Sequence, residues 1–200
     1  IMVKKIKILA LILLSQLNTH CQMKEQTPEF HVDISHPANK YEVTPVFDYI
    51  KTLEGTPAGF PYGSTSGSWA SSGKSWTAQK GTPIGFETTY FAWSENKYYH
   101  IDQNFDKDYI LEMTNRCYSW QDEYSELPVE EFISKEKYNK EFHDVRNFYE
   151  PFGSLVFGFA PQGMVVVWLQ YGGSTIIELG RFQAKEVTDE KRLEECKKKL

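Results

Sequence analysis

Hydrophobic positions are densest between Pro151 and Val187, where three apolar runs are separated by Ala160-Pro161-Gln162-Gly163 and Gly172-Gly173-Ser174. Short runs rich in Val, Ile, Phe and Trp, punctuated by Gly and Pro, read as strand-turn-strand-turn-strand, an antiparallel meander. The middle run, Met164 to Tyr171, is apolar at almost every position, which predicts a strand covered on both faces. The third, Ile176 to Ala184, alternates, setting Ile177, Leu179 and Arg181 against Ile176, Glu178, Gly180 and Phe182.

Upstream, Phe30, Val32 and Ile34 alternate with His31, Asp33 and Ser35, a half-buried strand that ends at His36-Pro37. Its polar side reads as the solvent-facing side of an edge strand. Tyr41 to Leu53 forms a second strand interrupted by Pro45. Residues 54–81 change character, being rich in Gly, Ser, Thr and Pro yet carrying Phe60, Tyr62, Trp69 and Trp76. A loop of that length inside a domain is functional or mobile, and its aromatics either bind something or pin the loop down. Pro83 to Ser94 is again a strand, and Glu95-Asn96 turns it back into Lys97 to Asp102 as a hairpin. Phe105, Tyr109, Ile110 and Met113 share one helical stripe, predicting a helix over 105–116 capped from Asp102-Gln103-Asn104. Pro128 opens a second helix, Val129 to Tyr149, with Tyr138, Phe142, Val145 and Tyr149 at the spacing of a buried face. The fold class is therefore mainly β (α+β), an antiparallel sheet or β-sandwich with two helices packed on one side.

At the N-terminus Lys4, Lys5 and Lys7 precede Ile8 to Leu14, the basic and short apolar regions of an export signal. That divides the chain into a signal peptide (1–20), a tether (21–29), one β-rich domain (30–187) and a charged, solvated C-terminal tail (188–200). The formal charge is −5, and three of the 22 basic residues lie in the signal segment, so the body is more acidic still. An acidic body argues against a nucleic-acid partner.

Chemical signatures are sparse. Gly63-Ser64-Thr65-Ser66-Gly67 puts Thr where a nucleophile elbow needs Ser, and Gly73-Lys74-Ser75-Trp76-Thr77 lacks the closing Gly. No His-Glu-x-x-His, P-loop or Cys-x-x-Cys occurs, so neither a cofactor nor a metal is expected. Cys117 and Cys196 either pair or remain free thiols. His31, Asp33 and Ser35 share a strand face as a conceivable proton-transfer group, and Glu87, Glu95, Asp102 and Glu178 are the carboxylates from which a glycosidase pair would be drawn. The aromatics are the stronger lead. Phe60, Tyr62, Trp69 and Trp76 on the loop, with Trp93, Tyr98 and Tyr99 around the hairpin, are the candidate residues for stacking a sugar or clamping a partner protein.

Two blocks carry a family resemblance. Pro83, Trp93, Ser94, Tyr98 and Tyr99 form the first; Gly158, Ala160, Pro161, Gly163, Val165, Val167, Trp168 and Leu169, followed by Arg181, Gln183 and Ala184, form the second. In this the chain resembles the bacterial lipoprotein family catalogued as domain of unknown function 2931, departing from it at Gln162, where a second Gly is expected. Cys21, directly after the signal, resembles the acylated cysteine of such lipoproteins, although His20 and Asn18 depart from the usual lipobox. The resemblance implies a β-rich fold held at the bacterial cell envelope, on the outer membrane or periplasmic face, through an N-terminal lipid; it supplies no catalytic residue. The expected function is a non-catalytic binding or interaction module for a protein or carbohydrate ligand, for example an immunity-type protein that blocks a toxin. A carbohydrate-active hydrolase or carbohydrate-binding protein is the alternative.

Overall fold

The apolar octet Met164–Tyr171 is a strand, paired antiparallel with Tyr149–Ala160 on one side and Thr175–Gln183 on the other. The computed structural model describes residues 27–71, 75–119, 130–142, 149–172 and 175–200. Within these the strands, in chain order, are β1 (Glu29–Ser35), β2 (Val43–Thr52), β3 (Ser75–Lys80), β4 (Pro83–Ala92), β5 (Lys97–Asn104), β6 (Arg116–Ser119), β7 (Phe132–Ser134), β8 (Tyr149–Ala160), β9 (Met164–Tyr171), β10 (Thr175–Gln183) and β11 (Lys185–Glu186). Three short helices join them: α1 (Lys107–Thr114), α2 (Lys135–Lys137) and α3 (Glu190–Lys197).

The described strands form two sheets. One runs β10-β9-β8-β1-β3 with β6 and β7 attached beside the start of β8; the other runs β11-β5-β4-β2. Period-two alternation sends Phe30, Val32, Ile34, Leu155, Phe157, Phe159, Val165, Val167 and Leu169 from the larger sheet against Ile50, Phe86, Tyr90, Tyr99 and Ile101 from the smaller. Rings interlock across the gap, with centroids 5.0 Å apart for Phe86 and Phe157 and 4.8 Å for Tyr90 and Phe159. The fold is thus the expected mainly β sandwich of the α+β kind. Helix α1 contributes Ile110 and Met113 to the same core. Its cap is Asp106, whose carboxylate accepts the Tyr109 N–H at 3.0 Å, so the helix starts later than the 102–104 caps would have it.

Several expectations are corrected. β1 is an interior strand, parallel to β8 and antiparallel to β3, and on its polar side Asp33 and Ser35 are buried, leaving only His31 of the three facing solvent. β3 lies inside the stretch expected as a loop, because its one alternating pair, Trp76 and Ala78, is too short to stand out from the Gly- and Ser-rich residues before it; it is an edge strand bonded to β1. No continuous helix occupies Val129 to Tyr149: Phe132–Ser134 is strand, Ser134 caps α2 by accepting the Lys137 N–H, a π-helical turn covers Tyr138–Phe142, and Tyr149 already belongs to β8. Residues 129 and 143–148 of that prediction lie outside the described part. In β10 an extra residue between Glu178 and Gly180 reverses the alternation, which brings Phe182 to the core side with Ile177 and Leu179. The tail is not merely solvated, since α3 lies on the smaller sheet with Cys196 fully buried.

Candidate functional site

The outer face of the four-stranded sheet is the best candidate. On this face cross-strand registers set residues in rows: Phe47, Thr89, His100 and Lys185 in one, Tyr49, Glu87 and Asp102 in the next, then Lys51, Gly85 and Asn104. Directly opposed side chains on one face have Cβ atoms roughly 4.5–5.5 Å apart, and the register sets Glu87 opposite Tyr49 on one side and Asp102 on the other.

One end of the face is apolar and capped. Phe91, Tyr98 and Cys196 are buried together, with Val46, Phe47, Val187 and Leu193 packed around them. Helix α3 provides that cover through Leu193 and Cys196 on an otherwise polar sequence. Its start is fixed by Asp189, whose carboxylate accepts the Arg192 N–H at 2.8 Å, and the Arg192 guanidinium lies 4.4 Å from the centre of the Phe47 ring. Glu186 in β11 holds Lys97 at 2.7 Å and keeps that ammonium above the usual lysine range. The other end of the face stays open. Lys51 reaches across to the Asp102 carboxylate and to Asn104 Oδ1 at 2.7 Å.

Where helix meets sheet, three shallow grooves form among the described residues. One of about 380 Å³ is lined by Glu87, His100, Lys185, Thr188, Asp189 and Arg192 among others. A smaller one of about 170 Å³ lies beside Phe47, Tyr49 and Thr89 and shares Glu87 and Arg192 with the first. The third, about 410 Å³, is bordered by Phe91, Tyr98, Leu193 and Leu200 with Lys97 and Lys197 at its rim. His100 Nδ1 lies 2.9 Å from the Thr89 hydroxyl, which orients the ring.

The seven aromatic candidates do not converge. Phe60 is core, 1% exposed, with its ring 4.6 Å from Phe157. Tyr99 is core as well, stacked on Tyr90. Tyr62 is 83% exposed. Trp69 lies on the opposite side of the molecule, edge-on to Trp168 at 5.1 Å over Gly158, where a Cβ would come within 2.6 Å of its ring. Trp76 holds a place in β3 opposite Val32, and its side chain falls outside the described part. Among the described side chains Trp93 and Tyr98 share a neighbour, each packing against Phe91 on the outer face of the smaller sheet, with Trp93 Nε1 donating to Thr44. Cys21 falls outside the described residues.

The carboxylates separate in the same way. Glu87 and Asp102 are brought together, while Glu95 accepts the Gln162 N–H and Glu178, on the far edge of the other sheet, is held below the usual carboxylate range by Arg181. In β1, Ser35 donates to the Phe157 carbonyl and Asp33 is 3% exposed, its Oδ1 without a hydrogen-bond partner among the described residues; of the three, His31 alone is exposed. Cys117 and Cys196 are free, buried thiols, and burial pushes Cys117 up to about 11. Among the described residues no group of three His, Cys, Asp or Glu is placed to hold a metal ion, and no helix is long and apolar enough to cross a membrane. Tyr49, Lys51, His100 and Arg192 escaped the sequence reading. The signal for Tyr49 and Lys51 was there in the period-two placement opposite Ile50.

The family model described as protein of unknown function (DUF2931) matches residues 19–200. No curated protein and no solved structure matches the chain.

Proposed function

The chain belongs to the DUF2931 family, and from that premise we propose that it is a non-catalytic binding module, tethered to the bacterial envelope by acylated Cys21, that receives its ligand on the outer face of the four-stranded sheet. The observation that carries this reading is the clustering of grooves along α3, two of which share Glu87, with Tyr49 lining the smaller of those two. A shallow trough bordered by an exposed aromatic ring and mixed charges suits recognition; catalysis by carboxylates needs one carboxyl kept from water, and Asp102 is 54% exposed and engaged by Lys51. One form of such a module is an immunity-type protein, for which an acidic body suits a basic toxin.

A hydrolase remains the second reading because Glu87 and Asp102 face each other directly across β4 and β5. The anchor is tested by labelling cells with radioactive palmitate: wild type takes up label and Cys21→Ala does not, while equal labelling removes the tether. The binding face is tested by placing a diazirine amino acid at position 49 or at position 62 and irradiating intact cells. Adducts are expected from position 49 alone. None at 49, or equal yield at both, overturns the assignment of the face.

A further inference from the structure

We propose that the ligand of this face is a neutral oligosaccharide, laid across β2, β4 and β5 with one ring stacked on Tyr49. The inference rests on the binding-face reading above and specifies its chemistry. Glu87 sits half-buried at the junction of the two adjoining grooves, and among the described residues its carboxylate has neither an ion pair nor a hydrogen bond. This contrasts with the surrounding acids: Asp102 is held by Lys51, Glu186 by Lys97 and Glu195 by Arg192. A carboxylate drawn partly out of water without a partner is a cost that a bound donor would relieve.

Donors also stand unengaged beside it. His100 uses Nδ1 on Thr89, which leaves Nε2, and Lys185 next to it in the row makes no ion pair among the described residues. The larger groove counts three acids (Glu87, Glu186, Asp189) against two permanent bases (Lys185, Arg192), so it exerts no strong field of one sign. Phosphorylated or highly charged ligands are therefore poorly matched, whereas a pyranose offers closely spaced hydroxyls that both donate and accept. Its apolar flank needs an aromatic face, and Tyr49, 43% exposed, stands directly beside Glu87 in the second groove. The combined grooves have room for a short oligomer rather than a single ring.

The experiment is titration of the ¹⁵N-labelled protein lacking residues 1–21 with cellotriose, maltotriose and chitotriose at millimolar concentration, followed by amide shifts. At least one trisaccharide is expected to shift the amides of Tyr49, Glu87, His100 and Arg192. Tyr49→Ala then weakens that binding about tenfold and Glu87→Gln by a similar factor, while Tyr62→Ala leaves it unchanged. Both site variants alter exposed or half-buried side chains, and an unaltered amide spectrum elsewhere certifies their fold. If no trisaccharide moves these amides, or if binding survives both variants undiminished, the saccharide assignment is wrong. A photo-adduct to a peptide from position 49, without saccharide shifts, would discard the sugar and keep the binding face. Cleavage of a bound trisaccharide, lost in Glu87→Gln, would keep the sugar and discard the non-catalytic reading.

Discussion

Replacing Phe60 by alanine separates two accounts of the 54–74 connection. If its aromatics serve a ligand, the substitution costs affinity and leaves stability alone. In the structure Phe60 is 1% exposed, with its ring 4.6 Å from Phe157 and 5.9 Å from Phe159. Burying such a side chain contributes about 1.5–3 kcal/mol, and each aromatic contact adds about 0.5–1.5 kcal/mol. The loop has little freedom to close over the vacated space, because the Phe60 N–H is bonded to Asp48 Oδ1 at 2.6 Å and the Ala58 carbonyl to the Ile50 N–H at 2.9 Å. The expected loss is therefore in the usual range for a buried Phe→Ala, about 3–5 kcal/mol, which for a chain of this size lowers Tm by roughly 10 °C or more. Urea unfolding followed by tryptophan fluorescence measures it, with Tyr62→Ala as the neighbouring exposed control, expected to stay within about 0.5 kcal/mol of wild type. A loss below about 1 kcal/mol for Phe60→Ala, with an unchanged slope against urea, would refute the placement of this residue in the core.

Three further outcomes follow from other parts of the molecule. Gln162 holds a left-handed backbone, φ 62°, and its polar contacts there use only main-chain N–H and C=O, so Gln162→Gly raises stability by about 0.5–1 kcal/mol in the same urea assay; a loss would mean that the side chain holds the turn. Removing residues 188–200 strips the cover from Phe91 and Tyr98, so an apolar dye such as ANS gains fluorescence severalfold while the sandwich still melts cooperatively; unchanged dye binding would show that α3 covers nothing. Asp48 is an exposed residue whose carboxyl turns in against Gly59 and Phe60, and partial removal from water there raises it above its ordinary 3.8, with the hydrogen bond from Phe60 acting the other way. A raised folded-state pKa gives stability that is complete below the unfolded value and is lost as pH climbs through the folded one. Wild type should therefore lose ground to Asp48→Asn between acid and neutral pH, and a gain instead would make the Phe60 bond the stronger influence.

Much of the sandwich was legible because its strands obey period two. The β4–β5 hairpin was announced by Glu95-Asn96, and Asn96 indeed takes φ 52°; the β8–β9–β10 meander was announced by its Gly and Pro breaks. The strands that escaped lack that pattern. β3 offers only Trp76 and Ala78 as apolar positions and pairs with β1 alone, and β7 is three residues inside a stretch whose charges mimic a helix surface. The site was less legible than the fold. Composition picked out Trp and Phe wherever they occurred, but a large aromatic ring is as readily core as surface, and Phe60 and Tyr99 went inward. Glu87 and Asp102 become neighbours only through the β4–β5 register, a relation between distant positions that no local window contains.

The parallel seat of β1 has a consequence for the order of assembly. A strand beginning at residue 29 lies between β3 and β8, and on the β8 side its Ser35 donates to the Phe157 carbonyl, 122 residues away. Until β8 exists as a chain segment, that slot in the larger sheet has only one wall. Among the described strands the first in the chain is thus completed on that side only once the eighth is in place, a long-range closure of the kind that slows folding.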